Sequence, residues 1–414
     1  MKQDTFKVYG YRWIVLVAFM FIVAVTQLLW ITFAPITGDA AKFYSVPDLS
    51  IGLLSMSFMI VYIIVSIPAS WVIDTYGIRV GVGIGAAFTA VFGLLRGVWA
   101  SNYSLVLIAQ IGVAIGQPFV LNAVTSVAAR WFPVRERATA SGLGSLAMYL
   151  GIFLGLALTP YMTIHFQIGG MLLAYGIASV VAALIFFVFA KERPATPPCE
   201  PGMEVRSLVF EGFKQMLRQK GFILLLIIFF IGLGTFNAVT TWIEDIVRPN
   251  GITSTQAGII GGLMIVGGIL GALFIPTLSD HYHKRTPFII VALTGASVGL
   301  AGIAYATSYW LLLVAGFVMG FFLLSAGPIG FQYGAEITYP TPEGTSNGLL
   351  ILMGQISGII FIFGMDSFKS PGSGSMTLPL VVLIGLMVLS LVLSFFLKEP
   401  KILLTESVKS SDVA

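Results

Sequence analysis

Charge is what this chain has least of: Asp, Glu, Lys and Arg together make up only 10% of its 414 residues. A soluble domain of that length could not cover its surface with so few charges. Cysteine is nearly absent as well. The single one, Cys199, lies in a proline-rich stretch, which excludes a disulfide framework and a cysteine-based metal cluster and leaves an incidental loop thiol. Histidine is limited to His165, His281 and His283, in loops or at the ends of apolar runs. No paired carboxylates and no serine–histidine arrangement fall at one depth, so neither an enzyme nor a cofactor or metal site is expected. His281 and His283, two apart beside Lys284 and Arg285, suit a solvated turn. The net charge of +4 is spread over loops and not gathered into a stripe, so nucleic acid is not an expected partner. A cleavable signal is not expected either, because residues 1–10 are polar and the apolar run after them is long enough to span.

What is present is apolar: 57% of the residues, with a mean hydropathy of +0.96 and 46 glycines. A helix needs about 20 apolar residues to cross a bilayer. Twelve segments qualify: 12–36, 50–73, 80–100, 104–128, 138–160, 168–190, 221–243, 254–277, 286–307, 309–335, 345–366 and 376–397. The expectation is an all-α membrane protein of two pseudo-symmetric six-helix bundles, 1–190 and 221–397. A proline-rich, then basic, linker over 191–220 joins them, and 398–414 forms a tail. Of the 22 basic residues, only Lys42, Arg248 and Lys369 fall outside and Arg96 within a span when the N-terminus is placed inside. That bias predicts two cytoplasmic termini. Small-residue pairs such as Gly85 and Gly81, Gly112 and Gly116, Gly151 and Gly155, Gly267 and Gly271, and Gly354 and Gly358 predict close helix packing. Pro118, directly after Gln117, predicts a helix break there.

The bundles carry the trace of a duplication. The polar turn Asp74-Thr75-Tyr76-Gly77-Ile78-Arg79 recurs 206 positions later as Asp280-His281-Tyr282-His283-Lys284-Arg285, with Asp, Tyr and Arg in register. Thr139 and Thr345, Gly142 and Gly348, and Leu143 and Leu349 keep the same offset. Two related membrane halves read as a transporter. Arg130 and Glu336 are also 206 apart, so the halves present opposite charges at equivalent places. Asp74, Arg79, Arg130, Asp280, Arg285 and Glu336 therefore form a candidate gate whose ion pairs close and break as the halves rock. The alternative is that they anchor short loops or satisfy helix termini.

The turn resembles that of the major facilitator superfamily, where Asp, Gly and basic residues follow the second span; Asp74, Gly77 and Arg79 fit, while Thr75 and Ile78 stand where basic residues are usual. A narrower resemblance, to the feline leukemia virus subgroup C receptor-related family, is carried by Ala335-Glu336-Ile337-Thr338-Tyr339-Pro340, Glu343-Gly344-Thr345-Ser346 and Gly348-Leu349-Leu350. Gln355 with Gly358-Ile359-Ile360-Phe361, Trp30, Pro68-Ala69 with Trp71, and Trp131-Phe132 extend it. The resemblance implies uptake of choline or ethanolamine and, historically, an association with heme. It also implies a choline pocket built from Trp30, Gln117 and Gln355. The family's aromatic in span 7 falls on Asn237, leaving Phe236 or Trp242 as substitutes.

The residues themselves point to the same depth. Trp30, Gln117, Asn122, Tyr149, Asn237, Gln355 and Tyr333 are polar or amphipathic groups inside apolar spans. A buried amide unsatisfied in hydrocarbon costs several kcal/mol, so each needs a partner helix or a wet cavity. Trp30, Gln117, Gln355, Asn237 and Tyr149 are the candidate substrate contacts; interhelical hydrogen bonding is their alternative. No carboxylate lies in the middle of a span, since Asp39, Glu244, Asp245 and Asp366 sit toward the outer ends, and this favours facilitated diffusion. Those acids also offer a mild attraction for cations. Arg96 is expected to snorkel or to pair with one of them, or else to meet an anionic substrate. The resulting expectation is a monomeric, multi-pass protein of the cell membrane that needs no cofactor. It moves a small polar organic solute, a choline- or ethanolamine-like cation, by alternating access as a uniporter. The rival is a proton-coupled carrier of an organic anion such as a carboxylate.

Overall fold

Long apolar runs with few charges leave the backbone no partner but itself, and every regular element among the described residues is accordingly helical. The computed structural model describes residues 8–196, 216–338 and 343–400, without the side chains at 134, 135, 138 and 343–345. Lys2, Lys7, Cys199, the central part of the expected linker, Tyr339-Pro340 and residues 401–414 of the expected tail lie outside the described residues.

Among the described residues, eleven helices are long and apolar enough to cross a membrane. One of them, Thr139–Phe189, is 51 residues long, more than twice what one crossing needs. It breaks at Gln167, whose φ of 57° and ψ of 173° are not helical, and so supplies two crossings. The twelve expected spans are thereby accounted for.

The chain divides into two compact units, Met1–Ser207 and Leu208–Ala414. In the first, α1 (Tyr11–Ile31) leads through a 3-10 turn at Pro35 into the short α2 (Thr37–Tyr44). Next come α3 (Asp48–Tyr76), α4 (Ile78–Val98), α5 (Tyr103–Leu121), α6 (Val124–Trp131) and α7 (Val134–Phe189), the last containing the Gln167 break. In the second, α8 (Lys220–Thr241) leads into the short α9 (Ile243–Val247). It is followed by α10 (Ser254–His281), α11 (Thr286–Tyr305), α12 (Tyr309–Thr338), α13 (Glu343–Ser367) and α14 (Thr377–Ser394). The wiring is the same in both. α1 packs on α7 as α8 does on α13, and α3 and α4 pack on α5 as α10 and α11 do on α12. α4 also lies on α7 as α11 lies on α14.

Small residues set these contacts. Gly85 on α4 and Gly116 on α5 face each other so closely that a Cβ on either would stand 2.7 Å from the other's carbonyl oxygen. Gly267 on α10 meets the Phe317 carbonyl of α12 in the same manner, at 2.5 Å. Helix starts carry their own signals. The Asn102 side chain accepts the Leu105 amide at 3.2 Å, and Thr253 with Gln256 closes a reciprocal capping box at the start of α10. Ile64, Ile67 and Val188 remain exposed, as apolar side chains facing hydrocarbon would.

Two local expectations are corrected. The first polar turn is almost all helix: α3 runs through Asp74 to Tyr76, and α4 begins at Ile78. Gly77 alone makes the link, with φ 95° and ψ 174°, a conformation open to glycine and few others. The break in span 4 is not at Gln117-Pro118 but one turn later, at Asn122-Ala123. There the Asn122 Nδ2 reaches α3, donating to Ser66 O, Ser66 Oγ and Ser70 Oγ within 3.0–3.1 Å, and its Oδ1 accepts from the Tyr62 hydroxyl at 2.8 Å.

Candidate functional site

The candidate substrate contacts divide by whether the protein already satisfies them. Trp30 sits in the last turn of α1, 7% exposed. Its indole Nε1 donates to Ser55 O of α3 at 3.3 Å, and Ser55 Oγ donates back to Trp30 O at 3.5 Å. The ring is held by its edge. Gln117 on α5 is 6% exposed, yet its amide makes no hydrogen bond among the described residues. Tyr149 on α7 is half-buried, with no partner for its hydroxyl among the described residues. Asn122 is fully engaged in joining α5 to α3, so interhelical bonding is its role.

In the second unit, Asn237 Nδ2 on α8 donates to Gly354 O on α13 at 3.2 Å. The residue after that carbonyl is Gln355, half-buried, whose amide has no hydrogen-bond partner among the described residues. Trp242 does not stand in for the missing aromatic. It is fully buried, and its Nε1 donates to Ile362 O at 3.0 Å. Phe236, 6% exposed, keeps that possibility. Tyr333, one of the polar groups within the spans, is satisfied by the protein: its hydroxyl donates to Lys398 O at 3.0 Å and anchors the chain beyond α14.

The charged turns are built by a pair of residues that sequence reasoning missed. In the first unit, Glu192, just past α7, accepts the Ile78 and Arg79 amides at 3.2 and 2.8 Å. It also pairs with Arg130, whose Nη2 donates to Ile73 O at 3.3 Å. In the second, Glu399, past α14, accepts the Arg285 amide at 3.0 Å and the Thr286 amide at 2.9 Å. Each carboxylate meets the free N–H groups and positive dipole end of a helix. The signal was present in the numbering, since Glu192 and Glu399 follow the sixth and twelfth spans.

Around these caps the two units differ. Arg285 is buried and pairs with Glu336, Nη2 to Oε1 at 3.0 Å, and with Asp280. Ser279 Oγ accepts from its Nη1 at 3.2 Å, and Gln332 Nε2 donates to Glu336 at 2.9 Å. Burial pulls the Arg285 pKa down, but the hydrogen bonds and charges of Glu336 and Asp280 outweigh it and leave it above its ordinary value. A hollow of about 350 Å³ opens beside this cluster, lined by Pro276, Asp280, Arg285, Pro328, Ile329 and Gln332. Asp74 and the Arg79 side chain are exposed and make no ion pair among the described residues. Of the candidate gate, the structure therefore joins Arg285, Asp280 and Glu336, and attaches Arg130 to Glu192.

At the other ends of the spans, Glu244 and Asp245 are buried and not open to solvent. Arg248 Nη2 pairs with Glu244 at 2.6 Å and with Asp245 at 2.8 Å, and Lys369 Nζ reaches Asp245 at 2.6 Å. Asp39 and Lys42 of α2 precede Asp245 and Arg248 by the same 206 positions, which extends the repeat to the opposite ends of the spans. Arg96 neither snorkels nor meets an acid among the described residues. It is fully buried and donates to Leu29 O, Gln110 Oε1 and Thr32 Oγ1.

The Major Facilitator Superfamily model matches residues 15–362 and 226–409. Solute carrier family 49 member A3 of Danio rerio is 30% identical over 383 residues, covering 88% of this chain and 80% of that protein. The choline/ethanolamine transporter flvcr2a of Danio rerio is 29% identical over 376 residues, covering 86% and 80%. The choline/ethanolamine transporter FLVCR1 of Felis catus is 29% identical over 408 residues, covering 92% and 73%. Among solved structures, a bacterial homolog of the human lysosomal transporter Spinster superposes with a TM-score of 0.73 at 16% identity, covering 94% of this chain and 98% of that one.

Proposed function

The chain belongs to the Major Facilitator Superfamily, and we propose that it carries a choline- or ethanolamine-like organic cation across the cell membrane by alternating access, as a uniporter. One observation carries the reading. Gln117 and Gln355 are the candidate amides without a hydrogen-bond partner among the described residues, while Asn122 and Asn237 are bonded between helices. An amide at membrane depth that no protein group satisfies has to be met by water or by a solute. Neither glutamine amide is among the fully buried unpaired atoms, so both stay accessible to such a partner.

Trp30 supplies the remaining chemistry. Its N–H is occupied by Ser55, so what the ring has left to offer is its π face, which attracts a desolvated cation by about 2 kcal/mol. The choline/ethanolamine transporters among the relatives support that solute class. An anion carrier would need Arg96 or another cation at the site; Arg96 is buried and its two terminal nitrogens donate to Leu29, Thr32 and Gln110, which disfavours the rival. Asp74, Arg79, Arg130, Asp280, Arg285 and Glu336 act as the inner gate, with both termini cytoplasmic and the protein monomeric.

Uptake of labelled choline into proteoliposomes tests this directly. Trp30→Ala, Gln117→Ala and Gln355→Ala are each expected to raise KM about tenfold or more, the loss of roughly 1.4 kcal/mol of binding. An imposed proton gradient should leave the initial rate unchanged. Uptake driven by that gradient, or thermal stabilisation by carboxylates and by no amine, returns the anion carrier to first place.

A further inference from the structure

Arg96 is a fully buried ionisable residue that the proposed transport cycle leaves unused, and it is costly to keep. It lies in the last turn of α4, fully buried within a membrane span, with no carboxylate partner among the described residues. Its Nε has no hydrogen-bond partner among the described residues. What the guanidinium does have is three acceptors, two on one terminal nitrogen and one on the other. Nη1 donates to Leu29 O at 2.8 Å and to Gln110 Oε1 at 2.7 Å, and Nη2 donates to Thr32 Oγ1 at 3.1 Å. Gln110 Nε2 donates to the same Leu29 carbonyl at 3.3 Å. The Phe33 ring covers the cation at 5.7 Å from its centroid.

These partners are not scattered. Leu29 and Thr32 flank Trp30 on either side, at the point where α1 ends before Pro35. Gln110 lies two helical turns before Gln117 on α5, hence on nearly the same face and roughly 10 Å away along the axis. From α4, one side chain thus ties the helix end that carries Trp30 to the helix that carries Gln117. We infer that Arg96 is a positioning residue that fixes the spacing of Trp30 and Gln117, a role that rests on the substrate reading of those two residues given above. A planar fork is suited to this, because it bridges acceptors on two helices in one fixed geometry, whereas an ammonium is a single point.

The test uses the full-length protein in proteoliposomes with choline as probe. Arg96→Lys keeps the charge and loses the fork; Arg96→Met loses both. Both are expected to raise KM about tenfold while kcat stays within about twofold, as a loss of preorganised binding does. Placed on a Trp30→Ala/Gln117→Ala background, the same changes should move KM less than about twofold, because the groups they position are gone. Amide hydrogen exchange should accelerate over residues 29–36 in both variants and stay unchanged over 254–305. Gln110→Leu, which removes the bridge to α5 and leaves Arg96 in place, should shift KM in the same direction if Arg96→Met fails to fold. Native KM and native exchange in Arg96→Lys would overturn the inference, as would an undiminished KM effect on the doubly substituted background. If the unaltered protein takes up no choline, the substrate reading fails, and exchange over 29–36 alone then decides whether Arg96 holds that helix end.

Discussion

Glu192 and Glu399 each receive two backbone amides at the start of a helix, and Glu192 holds Arg130 as well. Removing such a cap typically costs about 1 kcal/mol. Glu192→Ala is expected to destabilise the protein by about that amount, read as a lower melting temperature in detergent. Asp74 contrasts with it, exposed and without an ion pair among the described residues. Asp74→Asn should therefore abolish uptake as a gate residue while moving the melting temperature by no more than about 2 °C; normal uptake by that variant would remove Asp74 from the gate. At this scale the sequence was readable where a residue type is rare in its surroundings. Trp30 and the glutamines stood out as polar groups in apolar runs. Glu192 and Glu399 were marked only by their like places after the sixth and twelfth spans, because the partners they share are main-chain N–H groups, which no pattern of side chains displays. The binding of Arg96 to carbonyl and amide oxygens was hidden for the same reason, and charge pairing was the wrong guide to it.

Among the elements, hydropathy located every span, since the length of an apolar run is itself the physical requirement. Ends were harder. Helices continue past the apolar stretch wherever the backbone has no reason to stop, so α3 runs through Asp74 and stops only where Gly77 adopts a positive φ. Span 4 opens at Asn122, drawn there by its bonds to α3, and not at the proline that seemed to dictate the break. Gln167 is a third case. Its φ of 57° with an extended ψ is a conformation nearly reserved for glycine, which strains a side-chain-bearing residue by about 1–3 kcal/mol. Glycine there would relieve that strain and lose about 1 kcal/mol through the freer unfolded chain. Gln167→Gly is thus expected to stabilise the protein by about 1 kcal/mol, seen as a raised melting temperature. A fall would mean that the Gln167 side chain makes the corner.

Across the whole molecule, a single offset ties together the repeated turns, the opposed Arg130 and Glu336, and the Asp39–Lys42 and Asp245–Arg248 pairs. The equal wiring of the two units is its structural counterpart. Duplication was legible because charges are so few that their spacing stands out against the apolar background. The divergence between copies was not. Arg285 collects Asp280 and Glu336, whereas Arg130 turns to Glu192, and a like-for-like reading of the repeat concealed that exchange of partners.

Glu192 and Glu399 each close their own bundle. Each bundle fastens the chain leaving its final helix to its own interior, so neither depends on the peptide that continues beyond it. A protease site inserted between residues 196 and 216 should, once cleaved, give two fragments that run apart under denaturation. In mild detergent, each should keep its full helical signal.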